Sequence, residues 1–86
     1  MITLIAHHEV DDVQHWLSST RRAELFGPLG ITIRTFVDPE NPNRVGLVCE
    51  VPDMDAFQAL MQSEAAAEAM AYDGVRPDTV VILVEG

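Results

Sequence analysis

Ile31–Val51 constrains this chain more than any other stretch. It carries two β-branched, alternating runs, Ile31–Val37 and Arg44–Val51, joined by Asp38-Pro39-Glu40-Asn41-Pro42-Asn43. Val, Ile, Thr and Phe suit a pleated, half-buried surface, and a proline has no N–H to give to a β-ladder. The stretch therefore reads as a central β-hairpin with a loop of moderate length. A strand-like run and a helix-like run lie on each side of it, so the hairpin is the pivot of two similar halves.

Met1–Val10 opens the first half with apolar residues on both parities, the pattern of a strand inside a sheet. Glu9-Val10-Asp11-Asp12 then places carboxylates where a helix N-terminus favours negative charge. Asp11 and Gln14 have the spacing of a capping box. Val13, Trp16, Leu17 and Thr20 recur at helical spacing with Leu25 further on, and Gly27-Pro28 and Gly30 end the helix. In the second half Asp53 is the expected cap, Met54, Phe57, Leu60 and Met61 form an apolar stripe, and Ala65–Ala71 continues as helix. Gly74 suits a left-handed C-cap, and Thr79–Glu85 is the last strand. The order is β-α-β-β-α-β. With no linker or low-complexity tract, residues 1–86 read as one domain. Its class is α+β: a four-stranded antiparallel sheet with two helices on one face, the ferredoxin-like arrangement.

Composition narrows the partners. The 14 acidic residues against 5 basic ones give a net charge of −9, and all five basic residues are arginine. Such a surface repels phosphate backbones and anionic lipid, so neither nucleic acid nor membrane is an expected partner. Cys49 is the only cysteine, which excludes an intrachain disulfide, and its apolar neighbours make it a small buried hydrophobe. The N-terminus lacks a basic leader and its apolar run is short, so a cytoplasmic protein is expected. A chain of this size buries only about 60–65% of its unfolded surface, which favours self-association.

The whole chain resembles the dimeric α/β-barrel superfamily. The likeness rests on its length, its element order, and a second half of acidic cap, F-x-x-L-M, alanine-rich helix, D-G-V and hydrophobic terminal strand. Those parts here are Asp53–Met61, Ala65–Ala71, Asp73-Gly74-Val75 and Val80–Val84. That superfamily includes cofactor-independent monooxygenases of antibiotic biosynthesis, polyketide cyclases, lactone isomerases and haem-degrading enzymes. The resemblance implies a homodimer built by two sheets packing face to face, with a small-molecule pocket between sheet and helices.

Five stretches of the chain bear on chemistry. His7 and His8 close the first strand and face opposite ways, and either imidazole suits a general base; the bland alternative is a hydrogen-bonded strand end. Arg34 interrupts a run that otherwise reads as buried. A charge there needs an acidic partner, Glu50 being one, or a ligand anion such as a carboxylate or enolate. Thr32, Arg34 and Phe36 share a face, which suits a pocket with one cation and an aromatic wall. Trp16 lies on the helical stripe, as core or as a surface for a planar ligand, and Tyr72 stands at a helix end where it reaches a pocket mouth. Arg21-Arg22 reads as the end of the first helix, where the dipole holds positive charge. His7, His8, Glu9, Asp11 and His15 lack a metal-binding spacing, and neither metal nor organic cofactor is expected. The reading that follows is an enzyme of monooxygenase, cyclase or isomerase type. It acts on a hydrophobic cyclic or aromatic molecule, with His7 or His8 as base, Arg34 as charge stabiliser, and Trp16, Phe36 and Tyr72 shaping the site. A non-catalytic dimeric module that binds a metabolite or a protein remains the alternative.

Overall fold

The computed structural model describes Met1–Gly86. Strands β1 (Ile2–Glu9), β2 (Thr32–Val37), β3 (Arg44–Val51) and β4 (Val81–Val84) form one open antiparallel sheet in the order β2-β3-β1-β4. This is the ferredoxin-like α+β arrangement expected from the element order. Single turns of 3-10 helix at Gly27–Leu29 and Pro77–Thr79 lead into β2 and β4.

Each expected helix is two helices. The first half has α1 (Val13–Ser18) and α2 (Arg21–Phe26), and the second has α3 (Met54–Met61) and α4 (Glu64–Tyr72). The first break sits at Ser18-Ser19-Thr20, whose hydroxyls all bond locally. Ser18 Oγ donates to the His15 carbonyl, Ser19 Oγ accepts from the Arg21 N–H, and Thr20 Oγ1 donates to Glu24. Such side chains compete with helical backbone bonds. The second break is a fresh N-cap, because Ser63 is extended and accepts from the Ala66 N–H at 3.2 Å. Asp12, not Asp11, caps α1 by accepting from the His15 N–H. Asp11 is held elsewhere, with its N–H on the Gly74 carbonyl and its carboxylate on Arg76. Asp53 caps α3 as expected, accepting from the N–H groups of Asp55 and Ala56. Gly74 takes the left-handed φ of +72° that ends α4.

Register decides which residues share a face. One row across the sheet is Val84, Leu4, Cys49 and Ile33, and it faces the helices with the row Ile82, Ala6, Leu47 and Thr35. The core is Leu4, Ile31, Cys49, Val51 and Phe57 at one end, and Val10, Trp16 and Val45 at the other. The opposite face carries the rows Leu83-Ile5-Val48-Arg34 and Val81-His7-Gly46-Phe36. Among these, Ile5, Phe36, Val81 and Leu83 are exposed.

Loss of the Asp53 cap leaves two helical N–H groups without their acceptor. Asp53→Ala is expected to cost about 1 kcal/mol, read as a lowered denaturant midpoint with an unchanged slope.

Candidate active site

A cavity of about 80 Å³ lies between the sheet and the helices. Leu4, Ala6, Leu47, Cys49 and Ile82 form its floor, and Trp16, Leu25, Phe57, Met61 and Met70 are among its other walls. Of its 18 lining residues 15 are hydrophobic, and the remaining three are His8, Arg22 and Asp73. An apolar pocket with a few convergent polar groups is the usual form of a small-molecule site.

The three polar groups come from three elements. His8 is on the helix-facing side of β1, is only 7% exposed, and packs edge-on against Trp16 at 5.8 Å between ring centres. Its Nδ1 has no hydrogen-bond partner. Arg22, in the first turn of α2, stacks over Trp16 at 4.2 Å. It donates from Nη2 to the Trp16 carbonyl at 2.7 Å and from Nη1 to Asp73 Oδ2 at 3.2 Å. Asp73 closes α4 and is 3% exposed, and its second oxygen, Oδ1, is unpartnered.

Burial sets the charges. Desolvation is the main force that lowers the His8 pKa below its usual value; the backbone at Glu9 opposes this, and the positive charge of Arg22 adds to it. The imidazole is therefore neutral at pH 7. Burial also lowers the Arg22 pKa, and the Asp73 carboxylate works against that. Arginine remains charged in proteins, so Arg22 stays a guanidinium beside Asp73. Burial raises the Cys49 pKa, leaving an inert thiol in the floor.

Of the residues singled out in the sequence, His8 and Trp16 meet at this cavity. His7, Arg34 and Phe36 stand on the other side of the sheet. There His7 and Phe36 border a shallow depression, and Arg44 Nη2 lies 3.0 Å from His7 Nδ1. Arg34 pairs with no carboxylate; its guanidinium lies 5.5 Å from the Phe36 ring centre, and Glu50 accepts instead from Thr32. Period 2 puts residues 32, 34 and 36 together, but only the register with β3 tells which face they take. Tyr72 is half exposed in a groove between α2 and α4, under the Arg21 guanidinium and beside the His15 ring. That groove shares Leu25 and Ala69 with the cavity, and Tyr72 does not line the cavity itself.

Arg22 and Asp73 were not anticipated. Because the helix breaks at Ser19, Arg21 and Arg22 begin a helix and do not end one, and the dipole does not hold them. Their signal in the sequence is the hydroxyl triplet Ser18-Ser19-Thr20, which restarts the helix at Arg21. No group of three or more His, Cys, Asp or Glu side chains is placed to hold a metal ion.

No protein-family model matches the sequence, and no curated protein matches it. Solved structures share its fold. An antibiotic biosynthesis monooxygenase is 16% identical with a TM-score of 0.66, over 100% of this chain and 97% of its own. A single-residue variant of SnoaB, a cofactor-independent oxygenase from Streptomyces nogalater, is 16% identical with a TM-score of 0.70, over 99% and 90%. A protein of Methanosarcina mazei is 16% identical with a TM-score of 0.65, over 98% and 89%. The chain has the fold of the antibiotic biosynthesis monooxygenase proteins, the ferredoxin-like fold expected from its element order. No helix is long and apolar enough to cross a membrane.

Folded protein resists protonation at His8, so below the unfolded pKa of about 6.5 unfolding takes up a proton there. The His8 contribution to stability is complete above that pH and shrinks as pH falls through the lowered folded pKa. Denaturant midpoints measured between pH 7.5 and 4.5 are expected to fall less steeply in His8→Phe than in the parent.

Proposed function

We propose that this protein is a small proton-transfer enzyme of the cofactor-independent monooxygenase, cyclase or isomerase type, working on a hydrophobic single-ring molecule in the cavity of His8, Arg22 and Asp73. One observation carries the reading: a neutral imidazole with a buried, unpartnered Nδ1 lines an otherwise apolar cavity beside a buried guanidinium. In that setting Nδ1 takes a proton from an activated C–H or O–H, and the electron pair stays on the substrate as an enolate or phenolate. The new anion lies near the Arg22 charge, which is already in place and needs no reorganisation. The carbanion is then open to reprotonation elsewhere, ring closure or reaction with dioxygen. The fold shared with antibiotic biosynthesis monooxygenases and SnoaB supports the last of these.

Size limits the substrate. The cavity is about half the ~150 Å³ of an engineered void that binds benzene. One ring is accommodated by movement of the flexible Met61 and Met70 side chains in the wall. Leu25 and Ala69 are shared with the groove that holds Tyr72.

The homodimer belongs to this proposal. It buries the sheet face of Ile5, Phe36, Val81 and Leu83, which lies opposite the cavity. In that assembly His7 and Arg34 serve the interface. Ile5→Glu places a charge in the middle of it, and sedimentation is expected to show monomer in place of dimer, with the helical content unchanged.

Proton transfer is read by deuterium exchange at the acidic C–H positions of a panel of ring ketones and phenols in D₂O, followed by NMR. The parent catalyses exchange on at least one chemotype. His8→Asn lowers its rate by roughly 10²–10⁴-fold without unfolding. Exchange that survives in His8→Asn but is lost in Arg34→Ala moves the chemistry to the outer sheet face. No exchange by the parent across the panel moves the protein to the class of non-catalytic binding modules.

A further inference from the structure

Two buried polar atoms on side chains that line the cavity, His8 Nδ1 and Asp73 Oδ1, have no hydrogen-bond partner, and both side chains are more than nine-tenths buried. A buried acceptor without a donor costs free energy, and proteins rarely leave one unless something else supplies the partner. Asp73 is the sharper case, because only one of its two carboxylate oxygens is used, by Arg22. A carboxylate oxygen only accepts, so the missing partner is a donor. Arg22 is already committed to Asp73, to the Trp16 carbonyl and to the Trp16 ring face. The guanidinium and the carboxylate cancel, and the imidazole is neutral. A ligand that reaches Asp73 Oδ1 thus meets a pair with no net charge and finds no free donor there for an anionic group.

We propose that Asp73 is the substrate anchor of this cavity, accepting through Oδ1 a hydrogen bond from an uncharged ligand with a hydroxyl group on a single ring, and that carboxylate ligands are excluded. The proposal rests on the proton-transfer reading for its site but not for its chemistry. The ligand hydroxyl donates to Asp73 while the ring fills the apolar space among Leu4, Leu47, Phe57 and Met61. A ligand carboxylate in the same place sets its charge against Asp73 Oδ1 and has no donor there. Selectivity therefore follows from the charge of the Arg22–Asp73 pair as a whole.

Phenol, benzoate and toluene differ only in the group that would meet Asp73, and they serve as probes at pH 7.5. Their binding to the full-length protein is measured by titration of the Trp16 indole N–H resonance and of the Asp73 side-chain carboxyl ¹³C resonance. Phenol is expected to bind roughly tenfold or more tightly than benzoate, and to shift the Asp73 carboxyl where toluene does not. Asp73→Asn frees the Arg22 charge, and the ratio is expected to reverse toward benzoate. A merely structural Asp73 would weaken all three probes alike. Should Asp73→Asn not fold, the carboxyl ¹³C response of the parent decides alone. Benzoate binding as well as phenol in the parent, or an Asp73 carboxyl resonance indifferent to phenol because an enclosed water satisfies Oδ1, overturns the proposal. Binding is read without turnover. A His8→Asn protein that has lost exchange activity yet keeps the phenol preference leaves the anchor standing, and loss of the preference in an active parent removes the anchor alone.

Discussion

The helical layer depends on the three contacts of Arg22. Its helix, α2, has six residues and buries none of them fully. Burial of its own apolar surface therefore holds α2 only in part, and a helix that short is marginal without tertiary packing. Arg22 reaches from α2 back to α1 through the Trp16 carbonyl and ring, and across to the end of α4 through Asp73. Both charges are shielded from water, with side chains 14% and 4% exposed. Removing either partner leaves an uncompensated buried charge, so the tie is much more costly to break than a surface ion pair. By contrast, the Arg76 pairs with Glu9 and Asp11 are open to solvent and add little.

That tie also explains what the sequence did and did not disclose. The order of elements along the chain, the hairpin and the Asp53 cap are local signals: alternation, turn residues, an acidic residue before an apolar helical stripe. The likeness of the second half to a known superfamily was legible for the same reason. Helix breaks were less so, because Ser18-Ser19-Thr20 and Ser63 are compatible with a continuous helix until their hydroxyls choose backbone partners. Missing the break at Ser19 put Arg22 at the wrong end of a helix and gave it a dipole for company in place of Asp73. For Asp73 there is no local signal at all. Before Gly74, after an alanine-rich helix, an aspartate looks like a solvated terminus, and its burial is a property of the whole layer. Arg34 shows a different limit. Its face was legible and its side of the sheet was not, since parity does not carry from β2 to β1 without the register of β3.

The two sides of the sheet divide the work. Toward the helices, β1 contributes Leu4, Ala6 and His8, and the last of these is the only polar residue on the cavity floor. Away from them it contributes Ile5 and His7, within rows of exposed Val, Leu and Phe. His7 and His8 are neighbours with opposite environments. One is half-buried beside Arg44, and the other is desolvated against Trp16. A sheet covered by helices on one face only ordinarily carries polar residues on its other, solvated face, whereas here Ile5, Phe36, Val81 and Leu83 lie exposed on it. In the proposed homodimer a second copy covers these rows without touching the cavity.

Stability does not explain why the cavity holds an ion pair at all. Burying Arg22 and Asp73 costs desolvation that their attraction only partly returns, and an apolar pair of the same volume would hold the helices as well. It would also leave no polar atom unsatisfied. What an apolar pair could not do is place a guanidinium beside a neutral imidazole with the net charge held near zero. A free arginine there would attract the carboxylates and phosphates that abound in cells. Pairing with Asp73 masks the cation from ligands that arrive already charged, and in the proposed reaction it leaves the guanidinium near the anion that forms. If His8 is the base of the proposed reaction, that separation of ground-state from transition-state attraction is the useful property.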